Sequence, residues 1–100
     1  MLHTVNKSPF EKNSFNTSLR LAKKGSDILL IEDAVYAALK DSAIEKAVKQ
    51  AVTMHSIYVL EPDLMARGLQ PARLIKGIQI VGYEGFVDLA VKNDKVQSWL

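Results

Sequence analysis

The stretch from Asp27 to Leu39, DILLIEDAVYAAL, constrains this chain more than any other. Ile28 to Ile31 contain no polar residue, so both faces of that strand must be covered. Such a strand belongs in the middle of a parallel sheet, where crossover helices bury both sides. Glu32 and Asp33 then fall at its carboxyl end, the edge where open α/β sheets hold ligands or partners.

The flanking segments repeat the alternation. Leu2 to Val5 is a short apolar strand. Ser8-Pro9-Phe10-Glu11 has the spacing of a capping box, opening either a helix or a single turn before one. Phe15, Leu19 and Ala22 recur on one helix face, and Gly25 stops it. The second strand is expected over Asp27 to Glu32, with Asp33 capping a helix that buries Val35, Ala38 and Leu39. Ser42-Ala43-Ile44-Glu45 reads as a second capping box. It precedes an amphipathic stripe of Ile44, Ala47, Val48, Ala51 and Val52, with Glu45 and Lys49 paired on the wet side.

A strand over Ser56 to Leu60 should end at Glu61-Pro62-Asp63, and Asp63 should cap a short helix, Leu64 to Arg67, closed by Gly68. Gln70 to Lys76 reads as a connection with room for one helical turn. Ile78 to Val81 is a fourth strand, and Tyr83 to about Asn93 a last helix. That helix is apolar on more than one side, through Phe86, Val87, Leu89, Ala90 and Val91, which implies burial beyond its own sheet. Val96 to Leu100, with Trp99, is either a fifth strand or an anchored tail. The expected fold is a single α/β domain over residues 1–100, three layers deep, with a mainly parallel sheet between helices.

Composition narrows the chemistry. The chain has 100 residues, no cysteine and a formal charge of +2. Without a thiol there is no disulfide, thiolate metal site or cysteine nucleophile on this polypeptide. The small net charge does not suggest nucleic acid, and Lys23, Lys24, Arg67, Arg73 and Lys76 read as solvated cations. No window has the length of a membrane span, and the first residues lack the pattern of a signal peptide, so a cytoplasmic location is expected.

Side chains capable of chemistry are sparse. His3 and His55 lie in or beside strands with no partner at metal-ligand spacing, which favours a structural or surface role. Gly82-Tyr83-Glu84-Gly85 lacks the first half of a dinucleotide fingerprint and has no Walker lysine. Glu32 and Asp33 are adjacent and point apart, and the serines have no nucleophile-elbow context. No catalytic, cofactor or metal residues are therefore assigned. Binding or assembly is the default reading; the alternative is a stand-alone ligand-binding module using Glu32, Asp33 and Asp63.

Four blocks carry a resemblance. LHTVNKSPFEKNS (2–14), LLIEDAVYAAL (29–39), IYVLEPDLMARGL (57–69) and GFVDLAVKNDKVQSWL (85–100) look like the TusB/DsrH family of sulfur-relay subunits. The resemblance spans nearly the whole chain and is weakest over Asp41 to Met54. It implies a flavodoxin-like fold and a place in a heterohexamer, a dimer of heterotrimers, beside TusC/DsrF-like and TusD/DsrE-like subunits. The persulfide-bearing cysteine would belong to the TusD/DsrE-like partner and pass sulfur to a TusE/DsrC-type carrier.

In the TusB branch that pathway serves 2-thiolation of the tRNA wobble uridine; in the DsrH branch it serves cytoplasmic sulfur oxidation. The two terminal blocks look closer to DsrH, yet Ser18 stands where DsrH-type chains tend to carry a cysteine. The implied role is a non-catalytic subunit without cofactor, direct nucleic-acid contact or membrane contact. Tyr36, Phe86, Val87, Val91 and Trp99 are the expected partner interface, and without partners the same surfaces would support a homo-oligomer.

Overall fold

A computed structural model describes residues 1–100. Five strands form one sheet in the order β4-β3-β2-β1-β5. They are β1 (Leu2–Val5), β2 (Asp27–Leu30), β3 (Ser56–Leu60), β4 (Gln79–Val81) and β5 (Val96–Trp99). Every neighbouring pair is parallel. The apolar run read as a central strand is flanked on both edges, by β1 and β3, and Ile28, Leu29 and Leu30 are fully buried.

Alternation along β2 separates two cores. Ile28 and Leu30 join Val5, Ile57 and Val59 in the main one. Against it pack α1 (Ser14–Leu21) through Phe15, α2 (Glu45–Met54) through Val48 and Ala51, and α3 (Glu61–Ala66) through Leu64. Leu29 turns the other way and meets Leu2 and Leu89 in a smaller core, supported by Tyr58, Val81, Phe86 and Ala90. Only α4 (Tyr83–Lys92) supplies helical residues to that core. The topology explains the imbalance. The chain steps outward from β1 through β2 and β3 to β4 on one side, then crosses back to β5 on the far side of β1. Right-handed crossovers in opposite directions place their helices on opposite faces, and only one crossover runs backward. The three layers expected from the sequence are present, with one of them a single helix thick.

The tail is a strand, paired with β1 at Thr4↔Ser98 and Val5↔Trp99. Several local expectations are corrected. β2 ends at Leu30 rather than Glu32, because Glu32 adopts a left-handed backbone (φ 50°) that cannot continue a strand. The segment after it, Glu32–Ala38, is 3-10 helical instead of α-helical. Ala34, Ala37 and Ala38 are all fully buried, so small residues lie flush against the sheet.

Neither capping box caps a helix. Ser8 closes a single turn, its Oγ accepting from Phe10 N–H (3.2 Å), while α1 begins only at Ser14. Ser42 Oγ accepts from Ile44 N–H (3.3 Å), and Glu45 Oε1 reaches back to Asp41 N–H rather than to Ser42. α3 starts at Glu61, three residues earlier than expected, with Pro62 in its first turn. No helix of the structure is long and apolar enough to cross a membrane.

Candidate functional site

At the carboxyl edge, the acids singled out from the sequence are brought together, and two of them are already engaged. Asp63 does not cap its own helix. Its Oδ2 accepts the Glu32 backbone N–H at 2.8 Å. Arg67 donates from Nε and Nη2 to Asp33 Oδ1, at 3.1 and 2.8 Å, and from Nη1 to the Asp63 carbonyl at 3.1 Å. Arg67 is therefore a tie between the 3-10 segment and α3, not the solvated cation expected. The i, i+4 spacing of Asp63 and Arg67 was the signal for it. The cluster fastens two segments, and of its three acids only Glu32 has a carboxylate outside these bonds. None of the molecule's four concavities is lined by Glu32, Asp33 or Asp63. A reactive acid–base pair is not what this geometry builds, and no group of histidines and acids could hold a metal ion.

Gly82-Tyr83-Glu84-Gly85 has a packing explanation. A Cβ on Gly85 would sit 2.7 Å from Val81 Cβ, so this glycine lets α4 press directly on β4. The glycine serves helix–strand contact rather than a phosphate.

Both histidines are buried, His3 at 4% exposure and His55 at 7%. His3 has its pKa lowered first by burial, then by the positive amino terminus and by His55. His55 is lowered by burial, against a hydrogen bond to the Lys23 backbone that works to raise it. Trp99 Nε1–H donates to His3 Nδ1 at 3.1 Å, with the rings stacked at a centroid distance of 6.2 Å. Nδ1 accepts, so it carries no proton, and the neutral ring holds its proton on Nε2.

Ser18 is also fully buried, and its hydroxyl donates to the Phe15 carbonyl at 2.7 Å. That position lies inside the α1–sheet contact, away from any reactive surface.

What remains open is the outer face of α4. Helical periodicity sends Phe86, Leu89 and Ala90 toward the sheet, and sends Tyr83, Val87 and Val91, spaced i, i+4 and i+8, outward. Their exposures are 65%, 59% and 80%. Glu84 and Asp88 flank this stripe, and with Tyr83 and Val87 they line a shallow cavity of about 380 Å³. Chemically the surface is an aliphatic and aromatic strip with an acidic border, suited to contact rather than turnover. Of the five residues expected at a partner interface, Val87 and Val91 share this face. Phe86 lies behind them against the smaller core, while Tyr36 and Trp99 are half-buried against the main core on the other side of the sheet.

Comparison with known proteins places this geometry in a family. A family model described as "DsrH like protein" matches residues 7–96. Protein TusB of Erwinia tasmaniensis is 42% identical over 99 residues, covering 99% of this chain and all of that one. Protein TusB of Yersinia pestis is 37% identical over the same length and coverage. Among solved structures, the YchN protein of E. coli superposes with a TM-score of 0.81 over 97% of both chains at 22% identity. A protein of unknown function from Methanobacterium thermoautotrophicum gives a TM-score of 0.75 at 14% identity, over 97% of this chain and 96% of its own. The two solved structures support the parallel α/β fold, and the full-length relatives with the family match go further: the chain belongs to the TusB/DsrH family.

Proposed function

We propose that this chain is a non-catalytic subunit of a heterohexameric sulfur-relay complex, located in the cytoplasm. Its partners would be TusC/DsrF-like and TusD/DsrE-like subunits. A cysteine of the TusD/DsrE-like subunit would carry the persulfide and deliver it to a TusE/DsrC-type carrier, for 2-thiolation of the tRNA wobble uridine. The observation that carries this reading is the outward stripe of Tyr83, Val87 and Val91 on a chain with no cysteine. A persulfide needs a thiol, so the sulfur must reside on a different polypeptide. An aliphatic strip left in water is stabilised by covering it, and permanent assemblies cover such strips with one another.

We assign the principal contact to Val87 and Val91, with Phe86 supporting them from beneath. The half-buried edges of Tyr36 and Trp99 would make contacts at other faces of the assembly. The full-length likeness to proteins named TusB favours thiolation over the sulfur-oxidation branch. Ser18 agrees, because its buried hydroxyl stands where a DsrH-type thiol would be.

Co-expression with the two partner subunits tests the assembly. A tagged copy of this chain should co-purify both in fixed stoichiometry, and recovery of the chain alone would refute the proposal. The branch is read separately, from thiolated wobble uridine in cells lacking this chain. Its loss there and its recovery on complementation support the tRNA assignment; unchanged thiolation refutes it.

A further inference from the structure

β5 is an edge strand, and its residues are the most exposed of any strand. Beyond its pairing with β1, few contacts hold it. Thr4 Oγ1 donates to Ser98 Oγ at 3.2 Å, Ser14 Oγ donates to Leu100 O at 2.9 Å, and Trp99 donates to His3. The last is the one side-chain bond made by a large, half-buried anchor, and it depends on a lone pair. An indole N–H can only donate, and an imidazolium has no acceptor left. Protonating Nδ1 therefore places two donors face to face, and no rotation of either ring restores the bond.

The surroundings of His3 do nothing to compensate a charge. The cavity beside it, about 310 Å³, is lined by Met1, Leu21, Lys23, Ser26 and Lys95. From its own strand His3 faces the amino terminus, from the end of α1 Lys23, from β5 Lys95, and from beyond α2 the buried His55. On β2 its register partner is Ile28. Asp27, the acid beside Ile28, is engaged by Asn93 and Lys92 at the end of α4. Every charged group lining the cavity is a cation.

We propose that His3 and Trp99 form a proton-operated latch: protonation of His3 frees β5 from β1 while the β4-β3-β2-β1 sheet stays folded. Local opening is cheapest where few apolar contacts and many exposed hydrogen bonds coincide, and the edge strand β5, with Val96, Gln97 and Ser98 exposed, has both features. The device is independent of the sulfur-relay reading, since it needs only this chain.

Trp99 is the single tryptophan, so one indole reports the event. On the full-length protein, iodide quenching of Trp99 and its indole N–H resonance are followed from about pH 7.5 to about pH 4.5, with far-UV circular dichroism in parallel. The expected result is an iodide quenching constant that rises at least about two-fold. Its midpoint should lie below the ordinary histidine value of 6.5 and coincide with titration of the His3 ring, while the dichroism is retained. His3→Gln, whose amide oxygen accepts the same bond without titrating, should abolish the transition. Should that variant not fold, the wild-type match between the His3 ring titration and Trp99 release still decides. A Trp99 that stays protected overturns the latch. So does a release that tracks His55 instead of His3, coincides with loss of dichroism, or persists in His3→Gln.

Discussion

Asp63 Oδ2 accepts the backbone N–H of Glu32 at 2.8 Å, joining the first turn of α3 to the one residue at which β2 breaks off. Glu32 holds a left-handed backbone (φ 50°), a conformation that costs an L-residue roughly 1–2 kcal/mol and persists only where its surroundings impose it. Asp63→Ala should destabilise the fold by about 1 kcal/mol, since it removes the hydrogen bond that holds the turn at Glu32. Glu32→Gly should stabilise it by up to about 1 kcal/mol, because glycine carries no penalty there. Urea denaturation of both variants checks the pair; opposite signs are the required outcome.

The two faces of α4 predict a separation of stability from assembly. Val87→Ser and Val91→Ser sit in water in the isolated chain and should change its stability by no more than about 0.5 kcal/mol. Leu89→Ala, two residues from each valine but in the smaller core, should cost about 2–5 kcal/mol. In pull-downs with the partner subunits, the two serine variants should lose binding while their melting temperatures stay put. Retained binding in the Val87→Ser, Val91→Ser double variant would move the interface elsewhere.

Gly85 is a second place where the helix can be tested. Adding a methyl group brings it to 2.7 Å from Val81 Cβ, a branched carbon close to the backbone that cannot swing aside. Gly85→Ala should cost about 1–3 kcal/mol despite alanine's better helix propensity. A neutral or stabilising effect in chemical denaturation would mean that α4 shifts freely on β4.

Acid should weaken the fold through its histidines. His3 and His55 both have folded-state pKa values lowered from 6.5, mainly by burial. Between the lowered values and 6.5 the unfolded chain binds more protons than the folded one, so stability increases with pH across that window. The contribution is complete above about pH 6.5 and is lost as pH falls toward the folded values. Denaturation midpoints should fall over that range in the wild type and fall less in His55→Gln. A flat profile in the wild type would show that neither ring is buried neutral.

A cysteine placed at Ser18 should be inert. The side chain is fully buried between α1 and the sheet, so in Ser18→Cys the thiol should react with a disulfide reagent only after unfolding, or at the rate of local opening. Rapid labelling of the native variant would mean that α1 opens readily.

Strand assignments were legible in the sequence because apolar runs such as Ile28 to Ile31 have one physical explanation. The α4 stripe was legible because residues four apart share a face. The misreadings share one cause. Ser42, Asp33 and Asp63 are residues that hydrogen-bond backbone wherever they fall, and a local pattern assigns them to the next helix. Each instead serves a turn or a distant segment: Asp63 bonds to Glu32, and Asp33 binds Arg67. His3 and Trp99 could not be paired from the sequence at all, because 96 positions separate them and only the β1–β5 register brings them together.

That register has a consequence for how the molecule is made. β1 lies beside both β2 and β5, and its bond from Thr4 to Ser98 spans 94 positions. On the ribosome, one border of β1 stays bare until Val96–Trp99 have been synthesised, while β2 and β3 can zip together much earlier. An exposed strand border is a site for mispairing with neighbouring chains. Slow translation of the stretch from β3 to β5 would lengthen that vulnerable interval, and a chaperone shielding β1 would reduce its effect.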